Sequence, residues 1–478
     1  MIIKKIGVLE RPSVATWLGS KPTAADQNPQ EHRRHLARQT GAVSLGVLVA
    51  MAASPVWAQD AAGVNPEVSF IFNTLLFLIA GFLVMWMAAG FAMLEAGLVR
   101  KKSVATQCLK NISLFSVAGL MYYLVGYNLM YAGVDGGYMG SISLWGADDS
   151  AALGGDFGDG TGYAASSDWF FQMVFVATAA SIVSGTLAER IKLWPFLIFT
   201  LILTGFMYPI TGSWQWGGGW LSEMGFADFA GSTIVHSVGG WAALVGALIL
   251  GARKGKFASD GRVQPMPGSN LPMATLGTFI LWLGWFGFNG GSQLAMGTGA
   301  DAIAVSNIFV NTNVAAAGGV IAAMIVCQIL YKKVDLTLAL NGAIGGLVAI
   351  TAEPLAPSIG LAVLIGAVGG VLVVVTVPLL DKMKIDDVVG AIPAHLVCGI
   401  WGTIVVPLSN SDASFSVQLT GIVAYGVFTV VVSAVVWLVL KAVMGIRLDP
   451  EDEHDGIDQA ETGLEAYPEF GAVSTGHR

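Results

Sequence analysis

Charged side chains and cysteines are scarce in this chain. Only 12% of its 478 residues are Asp, Glu, Lys or Arg, against about 25% in an ordinary soluble protein. The three cysteines, Cys108, Cys327 and Cys398, lie in apolar segments, and their spacing gives neither a disulfide framework nor metal ligands. The composition therefore excludes an ordinary soluble domain and a disulfide scaffold.

The chain is instead rich in hydrophobic residues that form long apolar stretches. Hydrophobic residues make up 54% of it, with 61 glycines and 14 tryptophans. A bilayer core about 30 Å thick is crossed by roughly 20 helical residues. Eleven stretches are long enough, which predicts an all-α polytopic membrane protein with eleven transmembrane helices. They lie near 68–98, 105–131, 168–188, 194–213, 229–252, 271–296, 302–331, 335–352, 359–380, 388–407 and 416–444.

Basic residues occur in alternate loops, which predicts the orientation. They are Arg100 to Lys102, Arg190 with Lys192, Arg253 to Arg262, Lys332 with Lys333, and Lys382 with Lys384. The intervening loops, near 132–167, 213–228, 297–301, 353–358 and 408–415, contain no Lys or Arg. By the positive-inside rule, the mature N-terminus is outside the cell (inner) membrane and the C-terminal tail is cytoplasmic.

The regions outside the spans give three further predictions. The run "RRHLARQTGAVSLGVLVAMAASPVWAQD" is typical of a cleaved signal peptide, the alternative being an additional membrane helix. Residues 1–58 are then an extension with the signal peptide, 59–446 the transmembrane domain and 447–478 the tail. The acidic tail is either a disordered end or a cytoplasmic interaction element. We expect the polar loop 132–167 to be a solvated cap without chemistry.

Two spans share a motif but run in opposite directions. The fifth contains "DFAGSTIVHSVGGW" and the tenth "DVVGAIPAHLVCGIW", both with the pattern D-x2-G-x4-H-x3-G. Similar segments five spans apart indicate an inverted-topology repeat, in which helices 1–5 are related to helices 6–10 and helix 11 follows. Such repeats place the working site at their interface, near the membrane midplane.

Each motif carries one histidine, His236 or His395, eight residues from its aspartate. That is about 12 Å along a helix, so both imidazoles reach the middle of the membrane from opposite faces. Two neutral imidazoles can share a hydrogen bond there. The alternative is a haem held by both histidines, which requires a roomy cavity between the helices.

Aromatic residues collect towards the predicted outer surface. In the sixth span, Trp285, Phe288 and Ser292 lie at i, i+3 and i+7 on one helix face. Phe171 and Phe175 share a face of the third span, and Trp216 precedes three glycines in an outer loop. Aromatic rings attract a cation by about 0.5–2 kcal/mol, and a hydroxyl accepts a hydrogen bond from a cation that carries N–H groups.

Three of the carboxylates in or beside spans have expected structural roles. We expect Asp228 to cap the fifth helix by accepting backbone N–H bonds, and Asp387 to cap the tenth in the same way. For Glu95, in the first span, we expect a structural hydrogen-bonding role.

Taken together, several motifs resemble the ammonium transporter (Amt/Rh) family, bacterial Amt type, over about residues 65–470. They are "AGFAMLEAGLVRKKS", "GTLAERIKL", "WGGGW", "DFAGSTIVH", "GWFGFNGGS", "NGAIGGLVAITA" and "KIDDVVGAIPAHLVCGIWG". The resemblance implies a pseudo-twofold protomer of eleven helices, a homotrimer in the lipid bilayer, and one pore through each subunit.

The resemblance also implies roles for individual residues. An external recognition site would comprise Trp216, Phe175 and Ser292, and stacked rings at the entrance would be Phe175 and Phe288. His236 and His395 would line the pore, with Trp285 at a pore-lining position below them and Gln172 beside the entrance. Asp228 would be the essential outer carboxylate.

Two positions depart from the family pattern. Some members have Asp where Gly390 stands, and Thr462 replaces a histidine common in the tail. In bacterial members the tail meets PII-type signalling proteins, so such a partner is expected here.

The predicted function is ammonium recruitment, deprotonation and ammonia conduction, with or without the proton, and the chain is not expected to be an enzyme. We expect no cofactor, no metal and no nucleic-acid partner. The alternatives are an ammonium sensor that signals through its tail, and the haem protein.

Overall fold

Helices dominate residues 65–468, the part of the chain that the computed structural model describes, and isolated bridges are the only β-structure in that range. Nine helices are long and apolar enough to cross a membrane, and two apolar helices are shorter. We number them α1 to α11: Pro66–Leu98, Lys101–Tyr131, Ala165–Thr186, Leu193–Ser213, Ser232–Leu250, Leu271–Gly291, Gly299–Tyr331, Leu336–Ile350, Ile359–Lys382, Ile392–Leu408 and Phe415–Val443.

The eleven helices coincide with the eleven predicted stretches, and the all-α polytopic fold is confirmed. The short helices are α8 and α10, so the number of membrane crossings stays a prediction. The largest difference in a boundary is at α6, which ends at Gly291 rather than near 296, because the chain turns there and Leu294 has a φ of 60°. The predicted signal peptide and residues 1–58 lie outside the described residues.

The two spans that share the motif begin in the same unusual way. Both α5 and α10 start with a π-helical turn, at Ser232–Ser237 and Ile392–Val397. The motif glycine precedes each turn with a left-handed φ, 103° at Gly231 and 80° at Gly390, which side chains with a Cβ rarely adopt. Both helices therefore begin a few residues later than predicted, for one physical reason.

Helices related by the repeat are in contact, α1 with α6 and α5 with α10. The second glycine of each motif allows α5 and α10 to cross closely. A Cβ on Gly240 would lie 2.6 Å from the Leu396 Cβ, and one on Gly399 would lie 2.3 Å from the Ser232 carbonyl oxygen. The motif thus sets both where each helix starts and where the two meet.

The two ends of the bundle differ in charge. One end, which we call the Trp216 face, carries Trp216 and Asp228. The other, the Arg253 face, carries the basic loops, joined by ion pairs such as Arg100 and Arg253 with Glu189, and Lys256 with Asp381. Between the faces, large apolar side chains are exposed around the bundle, for example Phe82 at 59%. Such a belt is expected to face lipid.

The described part of the tail packs against the Arg253 face. Two short helices follow α11, at Pro450–Asp455 and Ile457–Thr462. Asp458 accepts hydrogen bonds from the N–H groups of Ala105 and Thr106 at the start of α2, at 2.9 and 2.7 Å. Up to residue 468, the tail is therefore an ordered element in contact with the loops.

Candidate functional site

The two motif histidines meet in the interior of the bundle. The Nδ1 atoms of His236 and His395 are 3.2 Å apart, and the rings stack with centroids 5.2 Å apart and an angle of 27°. Both residues are buried, at 0% and 3% exposure. One Nδ1 donates and the other accepts, so at most one proton lies between them, and each imidazole keeps its Nε2 for another partner.

The aspartates that begin the motifs fix these helices. Asp228 accepts four backbone hydrogen bonds, from Gly231, Ser232, Thr233 and Ile234, at 2.7 to 3.1 Å. Asp387 accepts bonds from the N–H groups of Gly390 and Ile392 and from the Thr186 hydroxyl. The expected capping geometry is present at both positions, and it supplies acceptors to helix ends that would otherwise be unsatisfied.

A column of aromatic rings leads from the Trp216 face to the histidines. Trp216 meets Phe175 edge to face, with centroids 6.0 Å apart and an angle of 85°. Phe175 and Phe288 lie 4.1 Å apart, and Phe288 stacks on His236 at 5.3 Å. Phe175 and Phe288 thus form the closest ring contact in the column, between Trp216 and the histidine pair. The structure therefore brings together residues from α3, α5 and α6 and from the loop after α4.

Hydrogen bonds orient the remaining predicted residues. The Trp216 indole N–H donates to the Asp228 carbonyl at 3.0 Å, and that of Trp285 donates to the Thr351 hydroxyl at 2.9 Å. Trp285 also stacks on His236 at 5.1 Å. The Ser292 hydroxyl donates to the Phe288 carbonyl at 2.8 Å, which leaves its lone pairs available as acceptors.

A cavity of about 630 Å³ opens at the Trp216 face above the rings. Phe175, Gln172, Trp216, Asp228 and Ser292 all line it, so most of the residues predicted for the entrance share one vestibule. Its walls combine aromatic faces with carboxylates. Such a surface favours a cation over an anion or a neutral solute.

A second cavity, of about 570 Å³, opens at the Arg253 face, and Asp387 and Asn341 are among its lining residues. Between it and the histidine pair lies a small cavity of about 10 Å³ that His395 and Phe91 line. Cavities on both sides and a narrow interior between them are the form expected of a pore through a membrane protein.

The histidine geometry is incompatible with a haem between the two rings. An iron bound by both imidazoles would need a metal–nitrogen bond of about 2 Å on each side, with the macrocycle between them. The Nδ1 atoms, 3.2 Å apart, are too close for both bonds, and ring centroids 5.2 Å apart leave no space for a macrocycle between the imidazoles. Within residues 65–468 no group of three or more His, Cys, Asp or Glu side chains is placed to hold a metal ion.

Three buried charged groups on the Arg253 face form an ion-pair cluster. Arg253 binds Asp386 at 2.9 Å and Glu189 at 3.0 Å, and all three side chains are almost completely buried. Burial raises the pKa of Asp386, but the hydrogen bonds and positive charge of Arg253 outweigh it and hold that pKa well below its usual range.

Sequence reasoning missed several vestibule residues. Asp168 accepts hydrogen bonds from the Tyr127 hydroxyl and from Gln172, and Glu353 accepts one from Asn410. The loop 132–167, expected to have no chemistry, places Tyr163 in the same cavity. A carboxylate in the first turn of an apolar span, as Asp168 is, was the available signal.

Comparison with known proteins decides the family. A family model described as the Ammonium Transporter Family matches residues 75–467. Ammonium transporter Amt2 of Archaeoglobus fulgidus is 41% identical over 464 residues, covering 90% of this chain and 95% of that protein. The chain belongs to the ammonium transporter family. A second member, from Bacillus subtilis, is 32% identical and covers 83% of this chain and 98% of its own.

Solved structures agree with this membership in the ammonium transporter family. A protein described as a sensor Amt protein superposes with a TM-score of 0.77 at 33% identity, covering 83% of this chain and 99% of its own. Mep2 of Candida albicans gives a TM-score of 0.73 at 27% identity, with 86% and 94% covered. The family names favour ammonium transport across a membrane as the function, and one structural relative is named a sensor.

Proposed function

We propose that this ammonium transporter recruits ammonium at the Trp216 face and conducts ammonia past the His236–His395 pair to the Arg253 face. The observation that carries the proposal is the contact of two imidazoles at 3.2 Å directly below a column of stacked rings. By the distribution of basic residues, the Trp216 face is outside the cell (inner) membrane and the tail is cytoplasmic.

Recruitment uses the vestibule. Trp216 and Phe175 present aromatic faces to the cation, and Ser292 accepts a hydrogen bond from an ammonium N–H. The carboxylates of Asp168 and Glu353 in the same cavity add negative potential. Potassium has no N–H to donate, so the Ser292 hydroxyl contributes to selection between two cations of the same charge.

Deprotonation takes place above the rings, because Phe175 and Phe288 obstruct the passage of a hydrated ion. A bare cation in an apolar lumen loses hydration that nothing there replaces, whereas neutral ammonia loses little. Ammonia then passes Phe288 and Trp285 and travels beside the imidazoles. The nitrogens of His236 and His395 can exchange hydrogen bonds with it during the passage.

Purified protein in liposomes under an inward ammonium gradient tests this proposal. Entry of neutral ammonia raises the internal pH, and entry of ammonia together with its proton gives a current. Either signal, above that of protein-free liposomes, supports transport. The proposal fails if neither signal rises above that background.

Assembly as a homotrimer and binding of a PII-type protein to the Arg253 face are further proposals taken from the family. The ordered tail segment supports the second, because it places Glu453 and Asp458 among the loops that such a partner would meet. The mass of the protein in detergent tests the trimer, and co-purification with a PII protein tests the partner.

The similarity to a sensor and the docked tail favour signalling as a second candidate function. Sensing requires that ammonium changes the tail's contacts, for instance the bond between Lys254 N–H and Glu453. Hydrogen exchange of residues 447–468 with and without ammonium tests this. Unchanged exchange contradicts it and leaves transport unaffected.

A further inference from the structure

Glu95 is a buried carboxylate with one saturated and one unused oxygen. Its Oε2 accepts hydrogen bonds from Gln107, from Asn111 at 3.0 Å and from the Ser184 hydroxyl at 2.8 Å. These bonds match the structural role expected from the sequence. Its Oε1, also buried, has no hydrogen-bond partner in the described part of the chain. A purely structural carboxylate in an apolar interior is expected to have both oxygens paired.

The neighbouring cation does not use the free oxygen either. Lys110 donates to the Ser184 carbonyl at 2.9 Å, and its Nζ lies 4.8 Å from the centroid of the Phe196 ring. Its positive charge therefore acts on Glu95 through space, without a direct ion pair. The other titratable groups near Glu95 are Cys108 of α2 and His395 of α10.

Glu95 and His395 line the same small cavity. Its volume, about 10 Å³, is enough for roughly one water or one ammonia molecule. The Nδ1 of His395 is already in contact with His236, so Nε2 is its remaining nitrogen for a molecule in the cavity. The pore therefore has a histidine and a carboxylate facing one solvent-sized space.

This space also borders the exit. Asn341 and Val389 line both the small cavity and the large cavity at the Arg253 face. The side chains that these two cavities share therefore separate Glu95 from the open cavity at the Arg253 face. The vestibule carboxylates on the Trp216 side of the histidines differ from Glu95 in this respect. In the described residues 65–468, Asp168, Asp228 and Glu353 each have both carboxylate oxygens in hydrogen bonds.

We propose that Glu95 is the proton acceptor that follows the histidine pair in the pore. This rests on the proposed function. A proton on His395 Nε2 passes to the molecule in the small cavity, which gives one of its own protons to Glu95 Oε1. The imidazole returns to its neutral form and Glu95 becomes a carboxylic acid. That acid then releases the proton to water in the Arg253-face cavity and is a carboxylate again.

The test is the ammonium-elicited current of full-length protein in liposomes. Glu95→Gln keeps the volume of the side chain but removes its basicity, so the current should fall by at least about tenfold, as expected for loss of an acid–base group. Glu95→Asp should recover part of it. Glu67→Gln is the matched control, since it makes the same chemical change at an exposed position in the first turn of α1, and it should stay within about twofold of the wild type.

Infrared difference spectra provide a readout that a structural role would not move. Addition of ammonium to the wild type should give the C=O band of a protonated carboxylic acid, absent in Glu95→Gln and shifted in Glu95→Asp. If Glu95→Gln does not fold, the shift in Glu95→Asp decides. A current in folded Glu95→Gln equal to that of the wild type, or no such band in the wild type, overturns the proposal.

The outcome also separates this inference from the function on which it rests. If the wild type raises the internal pH of liposomes without any current, ammonia moves alone, so the inference fails and the proposed transport stands. If neither signal appears, the transport proposal itself has failed.

Discussion

The helices α5 and α10 carry the same motif, yet their surroundings differ at every step from the histidine outwards. His236 of α5 lies under stacked Phe288 and beside Trp285, whereas His395 of α10 has one tilted aromatic neighbour, Phe91, at 6.1 Å. The Trp216 end of the bundle is aromatic and the Arg253 end contains buried ion pairs. The repeated motif thus places the two histidines alike, and the residues around the motif make the two ends of the bundle different.

The aspartate that caps α5 makes more backbone hydrogen bonds than the one that caps α10, and this difference predicts the largest loss of stability. Asp228 satisfies four backbone N–H groups and Asp387 only two. Each lost bond leaves a backbone N–H group without a partner, whereas the Thr186 hydroxyl that also donates to Asp387 can turn to a backbone carbonyl instead. Asp228→Ala should therefore destabilise the fold by about 4 kcal/mol and Asp387→Ala by about 2 kcal/mol. Thermal unfolding in detergent measures both.

The exposed Asp412, also on the Trp216 face, is the control for the capping test. Asp412→Ala should leave the melting temperature unchanged. Equal losses for the Asp228 and Asp387 variants would contradict the idea that the two caps differ in strength.

Close crossing of the two helices gives the next effect. A Cβ on Gly399 would meet the Ser232 carbonyl oxygen at 2.3 Å, while one on Gly360 in α9 would meet nothing within 4 Å. Gly399→Ala should therefore destabilise the protein by about 2 kcal/mol through overpacking, and Gly360→Ala should not. The melting temperatures of the two variants check this, and a normal value for Gly399→Ala would mean that α5 and α10 do not cross there.

The ion pairs of the Arg253 face give a pH-dependent effect. The pKa of Asp386 is lower in the folded protein than its usual value of about 3.9. The stabilisation by this carboxylate is therefore fully present above pH 4 and is lost as the pH falls towards the folded pKa. Asp386→Asn should lower the melting temperature at pH 5 to 8, by the equivalent of about 2 kcal/mol, and the difference from the wild type should shrink below about pH 4.

Asp260, on the same face but exposed, is the comparison for Asp386. Asp260→Asn should leave the melting temperature near that of the wild type at each pH. A difference for Asp386→Asn that grows as the pH falls would contradict the sign of the shift.

The smallest effect concerns recognition at the aromatic end. Loss of one ring over a cation removes about 0.5–2 kcal/mol, so Trp216→Leu should raise the half-saturating ammonium concentration by roughly 2- to 30-fold. The measurement is the concentration dependence of uptake. Trp220→Leu, from the same loop region but outside the vestibule lining, should leave it unchanged. Equal increases in the half-saturating concentration for both variants would contradict a role of Trp216 in ammonium recognition.

The sequence was sufficient to predict the features that depend on pattern and period. Apolar length located the eleven helices, and identical spacing in two opposed segments predicted that His236 and His395 would meet. The capping role of Asp228 and Asp387 also followed, because an acidic side chain just ahead of a helix can accept hydrogen bonds from its unpaired N–H groups. Each of these follows from a pattern within a short segment or from the repetition of such a pattern.

The features that could not be predicted depend on contacts between distant segments. Tyr163 joins the vestibule because the loop before α3 folds back over α1, where the Asn73 amide donates to the carbonyls of Gly160 and Gly162. Asp168, in the first turn of α3, meets the Tyr127 hydroxyl of α2 in the same cavity. Likewise, the free oxygen of Glu95 is visible only when its partners on α2 and α3 are known. A single sequence does not state which carboxylate oxygen is left over.

The most direct test of the account is the response to ammonium after both imidazoles are removed. Liposomes that contain folded His236→Leu/His395→Leu protein should lose the ammonium-elicited current by at least about tenfold relative to the wild type, because no group remains to carry the proton across the apolar interior. A current in the double variant that equals that of the wild type would contradict the account.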